Sequence, residues 1–422
     1  MEYVKGFSSQ IDEQFTIKIA TDDEDEFTKI LELNVAVHGE SVRNYLSRIF
    51  LEHPSRDQFL WFYIEDDYSK KAISSISLFP LEWSIANIPI PVCEMGFVGT
   101  LEKYRGKGYI GYLNNLFELI MMERGFILSV IRGIPYYYRK LGYEFAIPLD
   151  DRMLLSTKNV PSIELNHLQI RKADFNDRSF FKKKYQEYHQ NFFISNKFDI
   201  DSYAFRYFND DYNEFKSMSY IIEDNGKSSS YFTFGMSYDN LAYDIKTSIL
   251  NDEQCIKLLQ FIKEIRGSEN NDDINLCARE DTVLGKNILA LGGVHHHTYG
   301  WQVKIPNLKL FFKKIKTILE TRINNSPFSG LTQKIKISNY RETFELFFEN
   351  GQISAINVEK GYPGEGLCDL QMPGSILYKL ILGDRKFDEI NYIIKDAMVK
   401  YNSKDLINTL FPKENIFPDS YY

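Results

Sequence analysis

Sulfur is scarce in this chain and has no pairing pattern. Four cysteines, Cys93, Cys255, Cys277 and Cys368, are spread over 422 residues, and no two form a CxxC pair. That spacing argues against a disulfide scaffold or a cysteine zinc site and fits a reducing cytoplasm. Long apolar runs are missing as well. The best candidate, around residues 88–98, is broken by Pro89, Pro91 and Glu94, short of the ~18 apolar residues that span a bilayer. The opening residues MEYVKGFSSQ hold no apolar core of a secretory leader, so a cytoplasmic location and no membrane partner are expected. Basic residues are not in excess: 50 Lys and Arg stand against 58 Asp and Glu, a net charge of −8. Without a basic surplus no nucleic-acid partner is expected, whereas cationic small molecules are tolerated. The phosphate loop GxxxxGK[ST] does not occur, which disfavours nucleotide hydrolysis.

What is present is globular in kind. Hydrophobic residues make up 44% and charged residues 26%. The chain is too long for one ordinary core, so two or three domains are expected. In the first block, residues 16–20 read as a strand, and the acids at 22–26 cap a helix from Phe27. Strand patterns follow at 59–64, 72–79 and 92–101. A helix over 108–123 places Ile110, Leu113, Phe117, Ile120 and Met121 on one face, and Gly125 stops it. Residues 126–131 form a short apolar strand. This alternation predicts an α/β layer.

The second block opens with LQIRKADFNDRSF at 168–180, which echoes TIKIATDDEDEF at 16–27. Both read as strand, acidic cap, helix, a hint of duplication. The second copy has no counterpart of the glycine-rich turn described next, so a ligand site there is not expected. The third block offers an amphipathic helix at 307–323 and a hairpin at 343–358 that turns on Asn350-Gly351. Helices follow at 375–383 and 403–410, and the end is aromatic and proline-containing.

The strongest chemical signal is Arg105-Gly106-Lys107-Gly108-Tyr109-Ile110-Gly111, after a strand and at the start of a helix. Glycines let backbone N–H groups turn into a concave nest. The helix N-terminus adds unsatisfied donors and partial positive charge, and Arg105 and Lys107 add full charges. Such a turn suits a pyrophosphate; the alternative is a solvated basic turn.

Strand, RGKG turn, helix, short strand and then PYYYRKLGYEFAIPL resembles the GNAT acetyltransferase superfamily, whose loop reads Arg/Gln-x-x-Gly-x-Gly/Ala. Arg105 and Gly108 match; Ile110 departs. RGKGYI with GIPYYYRKLGYEFAIPL resembles the enhanced-intracellular-survival (Eis-like) branch, in which a bulky residue at that place is common. The likeness is specific in the first block, weak in the second, and carried in the third by SILYKLILGDRKF and NTLFP. It implies an α/β (α+β) fold of tandem GNAT units, each a mixed, mostly antiparallel sheet flanked by helices. Residues 1–151 would be the catalytic domain, 152–305 a degenerate copy and 306–422 a sterol-carrier-protein-like domain.

The resemblance also implies an N-acetyltransferase that uses acetyl-CoA as co-substrate, needs no metal and acts on a primary amine of a small cationic molecule. Val98, Gly99 and Thr100 would run beside the pantetheine arm, with backbone N–H groups holding the oxyanion. Residues Gly106 to Gly111 would hold the pyrophosphate, and Gly133 and Ile134 the reactive end. Tyr138 matches the general acid that protonates the leaving thiolate, while Tyr136 and Tyr137 are read as packing the sheet edge. The base would be the main-chain carboxylate of Tyr422. The penultimate residue is Tyr421, where relatives that take polyamine-like substrates carry an acid. A homo-oligomer, commonly a hexamer, is implied. The alternative from another class is a non-catalytic protein that senses acyl-CoA or binds an apolar ligand. Among weaker candidates, His295 and His297 lack a carboxylate or cysteine partner in sequence, Glu94 reads as a salt-bridge residue, and the acids at 22–26 read as a helix cap or the rim of a cation site.

Overall fold

The computed structural model describes residues 3–208, 217–236, 242–266, 273–364 and 366–419. The first block supplies β1 (Ser8–Gln10), β2 (Phe15–Ile19), β3 (Leu60–Asp66), β4 (Lys71–Ile85), β5 (Ile88–Thr100), β6 (Leu128–Ile131) and β7 (Glu144–Ser156). Its helices are α1 (Glu24–His38), α2 (Val42–Leu51) and α3 (Tyr109–Glu123). The second block holds β8 (Leu168–Lys172), β9 (Ile194–Asn196), β10 (Met218–Asp224), β11 (Lys227–Met236), β12 (Tyr243–Thr247), β13 (Asp273–Cys277) and β14 (Val294–Lys304). Its helices are α4 (Arg178–His189), α5 (Ile200–Tyr207), α6 (Asp252–Arg266) and α7 (Val283–Ala290). The third holds β15 (Gln333–Ser338), β16 (Glu342–Glu349), β17 (Gln352–Lys360), β18 (Leu370–Gln371) and β19 (Met398–Val399), with α8 (Leu308–Lys314), α9 (Lys316–Asn324), α10 (Leu377–Ile381), α11 (Phe387–Ile393) and α12 (Lys404–Leu410).

The fold is mixed α/β, with mostly antiparallel sheets flanked by helices. The large sheet runs β1-β2-β3-β4-β5-β6-β14-β7-β13-β12-β11-β10-β8, with β9 added on β4. Among its described pairs only β5 with β6 and β12 with β13 are parallel. β14 lies between β6 and β7, where Gln302 faces both Ile131 and Phe145. The last strand of the second block is therefore part of the first block's wall. The third block has its own sheet, β17-β16-β15-β18-β19. The helix expected over 307–323 is two helices, because Ile315 leaves the helical conformation at φ −94°, ψ 10°.

Strand β3 shows why the first block layers as it does. Leu60, Phe62 and Ile64 point to one face and Trp61 and Tyr63 to the other, the two-residue period of a strand buried on both sides. α3 presses Leu113, Phe117 and Ile120 onto the first face. α1 and α2 press Phe27, Ile30 and Leu46 onto the second. Asp23 starts α1 by accepting from the N–H groups of Asp25 and Glu26, so the acidic run does serve as a cap. A third cluster joins Trp83 and Val92 to Trp301 and, from the third block, Phe312, Phe344 and Leu406. No helix among the described residues is long and apolar enough to cross a membrane.

Candidate functional site

The site begins where β5 leaves its neighbour. β5 pairs in parallel with β6 only from Val92 to Glu94, while on its other edge it stays paired with β4 as far as Thr100. Between Ser75 and Ser77 of β4 the register shifts, so that Ile76 opposes both Phe97 and Val98. This is a bulge, and Phe97 takes a φ of +44° within it. The bulge re-aims the strand and ends pairing on the β6 side. A wedge opens, and at its base Arg132 donates twice to Glu94, at 3.2 and 3.1 Å. Glu94 is thus the ion-pair residue that its place in an apolar strand suggested.

The turn after β5 prepares the N-terminus of α3. Gly106 and Gly108 sit at φ +76° and +84°, a left-handed region that L side chains rarely adopt. An added Cβ at either would meet nothing within 4 Å, so the turn is open as well as tight. Gly108 is the N-cap of α3 and no side chain caps it. The first N–H groups of the helix are thus left for solvent or a ligand. Arg105 is held over the turn by donating from Nε to the Thr100 carbonyl at 3.2 Å.

Beyond β6 the chain returns through a loop built around one close contact. A Cβ on Gly133 would lie 2.0 Å from Cε2 of Tyr138, so glycine at 133 lets the Tyr138 ring seat there. Tyr138 is 6% exposed. Burial, with Tyr137 and Tyr299 nearby, pushes its phenol above the ordinary value, so it keeps its proton at neutral pH. β14 braces this loop. Gln302 Nε2 donates to the Gly133 carbonyl at 2.8 Å and the Tyr299 hydroxyl to the same oxygen at 3.1 Å. Lys304 donates to the Leu141 carbonyl at 2.6 Å and pairs with Glu118 of α3.

Wedge, turn and loop line one cavity of about 1420 Å³. Of the residues singled out in sequence, Val98, Gly99, Thr100, Arg105, Gly106, Gly108, Tyr109, Ile110, Gly111, Gly133, Ile134 and Tyr138 all border it. Lys107 does not; its ammonium lies over the Tyr104 ring, 5.3 Å from the centroid. Tyr422 lies outside the described residues. The tail before it is anchored: Trp301 Nε1 donates to the Pro418 carbonyl at 2.9 Å and Asn196 to the Asp419 carbonyl at 2.7 Å. The Asp419 carboxylate pairs with Lys246, which itself borders the cavity.

Other expectations need correction. Tyr136 does not pack the sheet edge; it is 69% exposed at φ +70°. Tyr137 is half-buried, edge-on to Tyr138 at 5.1 Å. The acids at 22–26 do not border the cavity: besides the Asp23 cap, Glu26 accepts from Thr21 and Tyr63. His295 does find carboxylates, since its ligand atom and those of Asp151 and Glu280 lie within 4.8 Å of one another at the surface. Nor is the GxGxxG spacing absent, as a reading against a dinucleotide site would have it: Gly106, Gly108 and Gly111 satisfy it. The mostly antiparallel sheet around the turn is not the parallel fold that such sites use. Sequence reasoning missed Arg132, Arg152, Arg206 and Lys246, which come from four separate segments onto the cavity wall. Only Arg132 had a signal, the charged Glu94 inside an apolar strand.

With this geometry in hand, comparison is informative. Residues 17–146 match the family model described as an acetyltransferase (GNAT) domain. The first block carries a GNAT-type domain. The match spans the bulged strand, the glycine turn and Tyr138. Among solved structures, a protein from Enterococcus faecalis described as a probable N-acyltransferase has a TM-score of 0.70 at 14% identity, covering 96% of this chain and 100% of the other. A GCN5-related N-acetyltransferase from Anabaena variabilis reaches 0.67 at 16%, covering 95% and 99%. Eis1 from Mycobacterium abscessus reaches 0.59 at 10%, covering 97% and 100%. At these identities the likeness concerns the fold along nearly the whole chain. No curated protein sequence matches the chain.

Proposed function

We propose that the protein is an acetyl-CoA-dependent N-acetyltransferase acting on the primary amine of a small molecule. The observation that carries this reading is the single cavity shared by the uncapped start of α3, the bulged end of β5 and the buried Tyr138. The pyrophosphate would lie on the 106–111 turn beside Arg105 and Lys107, and the pantetheine arm along Val98 to Thr100. A neutral amine attacks the thioester carbonyl while backbone N–H groups near Val98 receive the developing oxyanion. The C–N bond forms, the C–S bond breaks, and Tyr138 gives its proton to the departing thiolate. The amine proton is released to solvent. Holding both reactants in one cavity supplies much of the acceleration.

Tyr138→Phe tests the acid. Turnover should fall about 100- to 1,000-fold, with acetyl-CoA affinity unchanged by calorimetry. Because burial raises the phenol, the wild-type rate should climb with pH as the amine loses its proton, without a fall below about pH 10. Unchanged turnover in the variant would remove Tyr138 from the mechanism. Acetyl-CoA binding without thiol release against any amine would favour a sensor.

A further inference from the structure

The segment SILYKLILGDRKF, at 375–387, has no part in the mechanism above, yet its middle reaches the same cavity. α10 ends at Ile381. Gly383, at φ +82°, turns the chain back, and the Arg385 N–H donates to the Lys379 carbonyl at 3.0 Å. This return sets Lys379, Asp384 and Arg385 on the cavity border. The Lys379 ammonium crosses to the first block and donates to the Phe145 carbonyl near the start of β7. Asp384, 8% exposed, accepts from Arg385 at 2.9 Å and stands 3.9 Å from Lys379. From the first block Lys140 joins them on the border. It follows Tyr137 by three residues in the short 3-10 helix Tyr137–Leu141, a spacing that puts two side chains on one face, and Tyr137 borders the cavity too.

The charges of this group leave a surplus. Lys140, Lys379 and Arg385 face one acid, Asp384. The acids behind them have cations of their own: Glu144 pairs with Arg139 at 2.9 Å, Glu389 with Lys413 at 3.3 Å, and Glu118 with Lys304. Lys140 is exposed, and no described residue forms an ion pair with it. Arg385 leaves 48% of its side chain exposed beside Asp384, so a ligand can reach its outer face.

Acetyl-CoA carries two separate anionic groups, the pyrophosphate and the phosphate on its ribose. On the reading above, the open start of α3 takes the first. The second calls for cations elsewhere on the same cavity. Resting on that reading, we propose that Arg385 of the third block, with Lys140, holds the ribose 3′-phosphate of acetyl-CoA. A guanidinium offers a phosphate a paired fork, and an ammonium adds a point charge. Lys379 and Asp384 are positioning residues: one ties the turn to β7, and the other orients the guanidinium. The third block then takes part in recognising the co-substrate.

Calorimetry on the full chain compares acetyl-CoA with 3′-dephospho-acetyl-CoA, which differs only in that phosphate. Acetyl-CoA should bind about tenfold tighter or more, and the ratio should shrink as salt rises. Arg385→Gln should bring the ratio towards one by weakening acetyl-CoA alone, and Arg385→Lys should restore part of it. Affinity for the dephospho compound should not move, a split that a general loss of structure would not give. Lys140→Gln, at an exposed side chain with no ion pair to break, should lower the same ratio, and it keeps the test open should the Arg385 variants fail to fold. Equal affinity of wild type for the two compounds, or a ratio that neither Arg385→Gln nor Lys140→Gln changes, overturns this inference alone, since the pyrophosphate could still lie on the α3 turn. So does an effect of these variants confined to the KM of the amine, which would assign the cations to the acceptor. Failure of both compounds to bind counts against the acetyltransferase reading and this inference together.

Discussion

The large sheet contains two strand–helix–strand units with parallel strands, and their helices begin in opposite ways. In β5–α3–β6, α3 starts on Gly108 with no side-chain cap and no acid in its first turn. In β12–α6–β13, the start is closed. Asn251 Oδ1 accepts from the Gln254 N–H at 2.9 Å, and Gln254 Oε1 accepts from the Asn251 N–H at 3.0 Å. Asp252 and Glu253 then fill the first turn. The two side chains satisfy donors that an anion would otherwise take, and the acids add negative charge at the positive end of the helix. One helix N-terminus is left for a ligand and the other is consumed by its own sequence. Capacity to hold a phosphate thus belongs to the turn, not to the unit that carries it.

The sharpest way to break this comparison is to close the open end. Gly108→Asp puts a carboxylate where the pyrophosphate is proposed to lie, at a φ of +84° that L side chains rarely adopt. Acetyl-CoA affinity measured by calorimetry should fall at least about 100-fold, roughly 2.7 kcal/mol, with melting shifted by only a few degrees. Retained affinity would show that the open N-terminus is not what binds.

A middle-sized effect concerns what the second block does instead of binding. It seats the tail: His189 stacks on Tyr185 at 3.8 Å and lies near Phe417 at 5.8 Å. Burial pushes His189 down to about 3, helped by Lys246 and Arg279, and His53 down to about 4. Both are neutral when folded and titrate near 6.5 when unfolded. Their contribution is complete above about pH 6.5 and is lost as pH falls, because the unfolded chain then binds the extra proton. At pH 5 each should cost about 2 kcal/mol relative to pH 7. Denaturant melts across that range check this, and His189→Phe should flatten the slope; a slope unchanged by the substitution would contradict it.

The smallest effect sharpens the contrast from the other side. Asn251→Ala opens the closed helix and should cost about 1 kcal/mol of stability. Acetyl-CoA affinity and stoichiometry should not change, since opening a start still flanked by Asp252 and Glu253 does not create an anion site. A second binding event in this variant would contradict the role given to the acids.

How far this was legible in sequence depended on range. The turn at 105–111, the Asp23 cap and the Asn350-Gly351 hairpin are local chemistry, and each stands where its residues predict. α3 was legible because one apolar face repeats over fifteen residues. α2 was not read, although Leu46, Ile49 and Phe50 do share its buried face. The placement of β14 between β6 and β7 pairs residues 140 or more positions apart, and no local pattern encodes it. Nor does one encode the meeting of Arg152, Arg206 and Lys246 at the cavity, which comes only through β7, α5 and β12. Tyr138 was singled out by resemblance. Its physical reason, a ring seated on Gly133 and a loop braced by Gln302, needed the fold.

The account stands most directly on the stoichiometry of acetyl-CoA. Titration of the full chain should give one site per chain, and Gly108→Asp should abolish it. Two sites per chain, or one site indifferent to Gly108→Asp, would contradict the claim that the open start of α3 holds the co-substrate.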